Sequence, residues 1–250
     1  MDNQQELNER VNALWAQLPV TNNLDEKFYA WVSHGKLNKF RNLVNEYPLM
    51  KEIAQIDQTI ILGPVYNYHP DMIYYLVKEL GLDPDFRRIE DVNRTILMVL
   101  LRHHHTEHRN VNLPNTEKFK RKIKTLEMLI LAGADLDAID LLGNTPLHYA
   151  ISHIETRDIV ATDRAPQAIE ILLKSGADPN KQNFHGQTPL HKLLQKTQIP
   201  LVILLPTIEL LIQYGAQENI TDSAGNTPRT LVLSRSPLSA VADPIAKHLP

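Results

Sequence analysis

The chain has 250 residues, of which 43% are hydrophobic and 22% charged, the balance of a soluble folded protein. It contains no cysteine, which excludes disulfides and thiolate metal sites, and a net charge of −3 supplies no global basic field for nucleic acid. The longest apolar stretch, Ile199–Leu205, is seven residues with Pro200 inside it, far short of a membrane span.

Residues 1–18 read as a leading helix, with Leu7, Val11, Leu14 and Leu18 at helical spacing and without the basic start or apolar core of a secretory signal. Beyond it the chain is built on one recurring pattern, faint at first and sharp later. A helix-ending turn is followed, about twelve residues on, by a threonine that has a turn-forming residue two positions before it. Tyr47 and Thr59 are the first such pair, with Asp57 in the turn slot. Gly81 and Thr95 are the second, with Asn93 in the slot and a hairpin two residues longer. Asn tolerates the left-handed backbone better than most residues. Three sharp copies follow. Gly133, Gly176 and Gly215 each stand twelve residues before Thr145, Thr188 and Thr227, in the stretches Gly143-Asn144-Thr145-Pro146-Leu147-His148, Gly186-Gln187-Thr188-Pro189-Leu190-His191 and Gly225-Asn226-Thr227-Pro228. Thr145 and Thr188 suit a helix N-cap, and Pro146 and Pro189 the first helical turn, where no amide donor is needed.

Thr-Pro-Leu-His after a Gly-Ala-Asp turn resembles the ankyrin-repeat family. The resemblance implies an all-α fold, an ankyrin-repeat solenoid of stacked helix pairs with short β-hairpin fingers. Phe28, Gly35, Phe40, Leu43 and Val44 then fall on core and turn positions of a first, degenerate unit. The division is a single domain over 1–250: an N-terminal capping helix (1–24), a degenerate repeat (25–55), repeats at 56–89, 90–139 (with a long insertion), 140–182 and 183–221, and a C-terminal cap (222–250) whose second helix would run from Pro237 to Leu249.

The distance from each threonine to its closing glycine departs from the family pattern. It is 22 residues from Thr59 to Gly81, then 38, 31 and 27 in the next three units, whereas the turn-to-finger segment stays near twelve. The extra length therefore belongs between the two helices of each unit, roughly His103–Thr116, Ile154–Ala165 and Gln195–Pro206. Such insertions project from one face and often bind. The first carries His103, His104, His105 and His108, of which His104 and His108 could share a helical face toward a divalent metal, although no third ligand motif accompanies them. A polar helix end is the plainer reading, and the expected metal and cofactor content is none. The next helix opens with Lys118, Lys120, Arg121, Lys122 and Lys124, with Phe119, Ile123 and Leu126 as its buried stripe; positive charge there opposes the helix dipole. The third insertion is apolar and is expected to extend its second helix.

His148 and His191 resemble general bases, but the family pattern makes them structural, hydrogen-bonded to backbone. The chain has no GxSxG elbow, phosphate-binding GxxxxGK[ST] loop or GxGxxG. The resemblance therefore implies a non-catalytic scaffold with a protein partner, no nucleic acid and no membrane span, expected to be monomeric and cytoplasmic. Its irregular, Asn- and Gln-containing array also resembles effectors that intracellular bacteria secrete into the host cytosol. By the same resemblance the concave binding face comprises Leu141, Leu142, Asn144, Tyr149, Phe184, His185, Gln187, Lys192, Ser223, Ala224 and Asn226, with Tyr149 and Phe184 as exposed aromatic anchors. A second candidate patch comprises His103, His104, His105, His108, Lys118, Lys120, Arg121 and Lys122. A metal-dependent activity on the His103–His108 loop is the alternative.

Overall fold

The computed structural model describes residues 2–19, 23–88, 92–102, 114–154, 165–196 and 199–233. The chain forms two compact units, one of residues 1–88 with 95–134, the other of residues 89–94 with 135–250. Both are helical, and the described strands are two-residue segments, β1 (Arg87–Arg88) and β2 (Arg94–Thr95), in a two-stranded sheet.

The first unit contains α1 (Asp2–Trp15), α2 (Leu24–Ser33), α3 (Leu37–Glu46), α4 (Leu49–Ile56), a 3-10 turn at Gln58–Ile61, α5 (Leu62–Tyr66), α6 (Pro70–Tyr74, continued as a π-helical turn to Glu79), α7 (Ile96–Arg102) and α8 (Asn115–Ala132). An aromatic relay runs through its core: Trp15 meets Phe28 at 5.5 Å, Phe28 meets Phe40 at 5.2 Å, and Phe40 meets Tyr75 at 6.1 Å between ring centroids. Edge-on and tilted geometries of this kind add to the burial of large apolar surface. The expected leading helix is thus pinned by Trp15.

One expectation fails here. The segment between Tyr47 and Thr59 was to be a finger hairpin, yet Leu49–Ile56 is helical. Met50, Ile53 and Ala54 are fully buried on one face of that helix, and this 3.6-residue stripe outweighs the weak turn signal of Asp57. Further along, α8 begins three residues before the cationic run. Ile123 and Leu126 are buried as expected, but Lys118 is buried too, and Phe119 is only half-buried.

The second unit contains α9 (Pro146–Ser152), α10 (Ala165–Lys174), α11 (Pro189–Gln195), α12 (Leu201–Gln213) and α13 (Pro228–Leu233). First helices α9, α11 and α13 pack in sequence, and second helices α10 and α12 pack beside them. The extra length does sit between paired helices: α9 ends at Ser152 and α10 begins at Ala165, while α11 ends at Gln195 and α12 begins at Leu201. The apolar third insertion is mostly α12 itself. Ile199, Ile203 and Leu204 are buried, and Leu201 and Val202 face solvent. The His103–His108 segment, most of the second insertion and the expected C-terminal helix lie outside the described residues.

Candidate functional site

The site of interest is a row of four chain reversals along one edge of the second unit, around Val92, Leu142, His185 and Ala224. Each of the last three is organised by a polar side chain five residues before the repeat threonine. Asp140 Oδ1 accepts from the backbone N–H of Leu142 and of Asn144, both at 2.8 Å. Asn183 Oδ1 does the same for His185 and Gln187, and Asp222 Oδ1 for Ala224 and Asn226. The reversals are also tied to one another through backbone. Leu141 N–H donates to Val92 C=O at 3.2 Å, Phe184 N–H to Leu142 C=O at 3.0 Å, and Ser223 N–H to His185 C=O at 3.0 Å. Such close approach needs glycine. Gly143 has φ of +76°, and a Cβ there would lie 2.7 Å from the Phe184 nitrogen. Gly186 has φ of +70°, with the corresponding Cβ 2.8 Å from the Ser223 nitrogen.

Behind the tips, the helix starts are locked. Thr145 caps α9 and Thr188 caps α11, each in a capping box closed by the histidine three residues on. His148 Nδ1 accepts from the Thr145 N–H at 3.2 Å, which leaves Nε2 as the protonated nitrogen, and this donates to the Gln187 carbonyl of the next repeat at 2.9 Å. His191 repeats the arrangement, reaching the Asn226 carbonyl at 3.1 Å. Burial, only partly offset by the Gln187 hydrogen bond, lowers the His148 pKa to about 4. It is a neutral structural bridge, and the expected backbone role holds.

Tyr149 is a correction. The resemblance implies an exposed anchor here, but Tyr149 is 7% exposed. Its hydroxyl donates to Asp140 Oδ2 at 2.7 Å and accepts from the Arg94 guanidinium. Burial first, with Asp140 adding and Arg94 opposing, pushes Tyr149 up to about 12. Burial would raise Asp140, but the Tyr149 hydroxyl and the N–H groups of Asn144 and Leu142 hold its carboxyl below the usual range. The outward placement follows from the family resemblance alone. Here Arg94 and Asp140 supply the polar partners that let it turn in.

The remaining predicted residues divide into two groups. Leu141, Leu142, Phe184, His185, Ser223 and Ala224 are exposed at the tips, with Phe184 at 68% and Leu141 at 61%. Asn144, Gln187, Lys192 and Asn226 are half-buried, and three of them have side chains engaged inside the protein. Asn183 Nδ2 donates to Asn144 Oδ1, Gln187 Nε2 to Gln195 Oε1, and Asn226 Nδ2 to Asp222. Sequence reasoning missed Lys196, whose ammonium donates to the carbonyls of Ile151 and Ser152 at the end of α9. A cation suits that helix end. Burial and then the charge of Lys192 push its pKa down.

At the second candidate patch, on the first unit, Lys120 is exposed, Arg121 and Lys122 are half-buried, and Lys118 is buried. Arg121 bridges to Glu117 at 3.2 Å, one helical turn back. Burial lowers the pKa of His69, and the charges of Arg121, His34 and Lys36 add to that. His103, His104, His105 and His108 lie outside the described residues, so their arrangement does not enter. Among the described residues no group of three His, Asp or Glu side chains is placed to hold a metal ion, and no helix is long and apolar enough to cross a membrane.

The first reversal carries a local cost that can be removed. Val92 and Asn93 have consecutive positive φ values of 56° and 55°. The left-handed region was expected at Asn93 and is found there, but a β-branched residue beside it is strained. Val92→Gly should raise stability by about 1 kcal/mol, read as a higher urea midpoint at an unchanged slope.

Two family models match the chain, one described as ankyrin repeats (many copies) over residues 118–154 and one as ankyrin repeat over residues 142–184. A search of curated proteins finds no match to the chain.

Proposed function

We propose that this chain, an ankyrin-repeat protein, is a non-catalytic scaffold that binds a protein partner through the exposed fingertips of its second unit. The observation that carries this is the row Leu141, Leu142 and Phe184, large apolar side chains at least half exposed on tips tied to one another by backbone hydrogen bonds. Aromatic and aliphatic anchors of this kind concentrate binding energy. The ladder of Asp140, Asn183 and Asp222 holds the tips before any partner arrives, so little ordering entropy is lost on binding. His185 beside Phe184, and Ser223 on the next tip, would form the polar margin, with Ala224 a small apolar neighbour. The family resemblance suits a protein of the cytoplasm, its own cell's or, for a secreted effector, a host's.

Partner capture from lysate, quantified by mass spectrometry, tests this. Leu142→Ser with Phe184→Ser should abolish capture of the proteins enriched by the wild type, a loss of about tenfold or more, with a melting temperature within a few degrees of wild type. Unchanged enrichment by the folded double variant would remove the fingertips as the site.

A further inference from the structure

The first unit holds a cleft that the fingertip reading leaves unused. It has a volume of about 520 Å³ and is lined by Leu7, Val11 and Asn12 of α1, Tyr29 of α2, Asp57 and Phe86. Clefts of a few hundred Å³ with mixed walls are the size that takes small organic groups. Its polar centre is Asp57. The Tyr29 hydroxyl donates to Asp57 Oδ2 at 2.7 Å and the Thr59 hydroxyl to Oδ1 at 2.5 Å. A carboxylate has about four acceptor positions, so each oxygen keeps capacity beyond these donors. Burial and then Asp57 push the Tyr29 hydroxyl well above its ordinary pKa, with the Asp25 charge adding to it. Two carboxylates near the hydroxyl favour a cation there.

We propose that this cleft is a binding site for a primary alkylammonium group, presented by a lysine side chain of a peptide or by a free polyamine. The ammonium meets Asp57, and its methylene stem lies along half-buried Leu7, Val11 and Phe86. The rings of Tyr29 and Phe86 add attraction between a cation and an aromatic face. Because each Asp57 oxygen already holds one donor, the carboxylate offers no open two-pronged edge for a guanidinium. A compact ammonium with three rotatable donors suits it better. This reading concerns the first unit and does not depend on the fingertip surface.

The test uses the full chain with three probes: spermidine, a Gly-Gly-Lys-Gly-Gly peptide blocked at both ends, and the same peptide with its lysine acetylated. Binding is followed by calorimetry and by the fluorescence of Trp15, whose ring lies 6.4 Å from that of Tyr29. Saturable binding of the lysine peptide and of spermidine is expected, with the acetylated peptide at least about tenfold weaker because it keeps the stem but loses the charge. Binding of the peptide alone assigns the site to protein lysines, and binding of spermidine alone assigns it to polyamines. Asp57→Asn should weaken binding about tenfold. Should that variant not fold, Asn12→Lys, at an exposed position of α1, places a tethered ammonium at the cleft and should block both probes. Equal binding of the acetylated peptide, unchanged binding in both variants, or no saturable binding up to about 10 mM probe would overturn the proposal.

Discussion

Gly143→Ala is expected to destabilise the second unit by about 3 kcal/mol, whereas Gly176→Ala, at a more strongly left-handed residue, should cost only about 1 kcal/mol. Both glycines have positive φ, +76° and +101°, so both variants carry the strain of an L side chain in that region. They differ in what a methyl group meets. At Gly176 nothing lies within 4 Å, whereas at Gly143 the new Cβ would stand 2.7 Å from the Phe184 nitrogen and 2.8 Å from its ring. The Phe184 N–H is the one that donates to Leu142 C=O, so the fingers must separate and that bond must lengthen or break. The difference between the two variants, read from urea midpoints at equal slope, therefore isolates the docking of one finger on the next. Equal losses would show that the fingers gain nothing from touching, and the case for a rigid, preformed binding edge would fall with them.

How much of this was legible in the chain depended on whether the information was local. Thr145, Pro146 and His148 announce a capped helix because each acts within one turn, and the structure closes the capping boxes where the spacing put them. Asn93 was readable for the same reason: its side chain tolerates the left-handed backbone wherever it sits. The swollen spacings placed the extra length between paired helices, since the turn-to-finger distance stayed constant. What was not legible came from partners distant in sequence. Tyr149 turns inward because Arg94, fifty-five residues earlier, and Asp140 meet its hydroxyl. No period in the sequence reports that pairing. Lys196 crosses from the end of α11 to carbonyls at the end of α9, a contact that exists only once the two repeats stack. At Leu49–Ile56 a strong apolar stripe overruled a weak turn signal, and the family template was the misleading guide. The exposure of Leu141, Leu142 and Phe184 follows from their register in the repeat and not from their apolar character, which on its own argues for burial.

Mild acid should loosen the second unit through His148. His148 has its pKa lowered by burial from 6.5 to about 4, so the folded state keeps it neutral where the unfolded chain binds a proton. Stability from this group is complete above pH 6.5 and is lost as pH falls toward 4. Over that window the unfolded state holds about one more proton, so stability should fall by about 1.4 kcal/mol per pH unit, roughly 3 kcal/mol in all. Asp140 and Asp222 have carboxyls held below their usual range, so their contribution is lost only at lower pH and does not blur the slope. The cause is burial, which penalises the charged ring more than the Gln187 hydrogen bond favours it. His148→Gln gives the decisive comparison, because an amide keeps a donor and an acceptor but does not titrate. At pH 7.5 the variant should be less stable by about 1–2 kcal/mol, the cost of an imperfect cap and repeat-to-repeat bond. Its stability should then stay nearly flat down to about pH 4.5, so that the two curves cross between about pH 5 and 6 and the wild type is the less stable of the two below that. A ring-proton titration by NMR should place His148 near 4 directly. A His148 that titrates near 6.5 in the folded protein, or a variant whose pH dependence parallels the wild type, would show that this histidine is not the buried bridge between repeats.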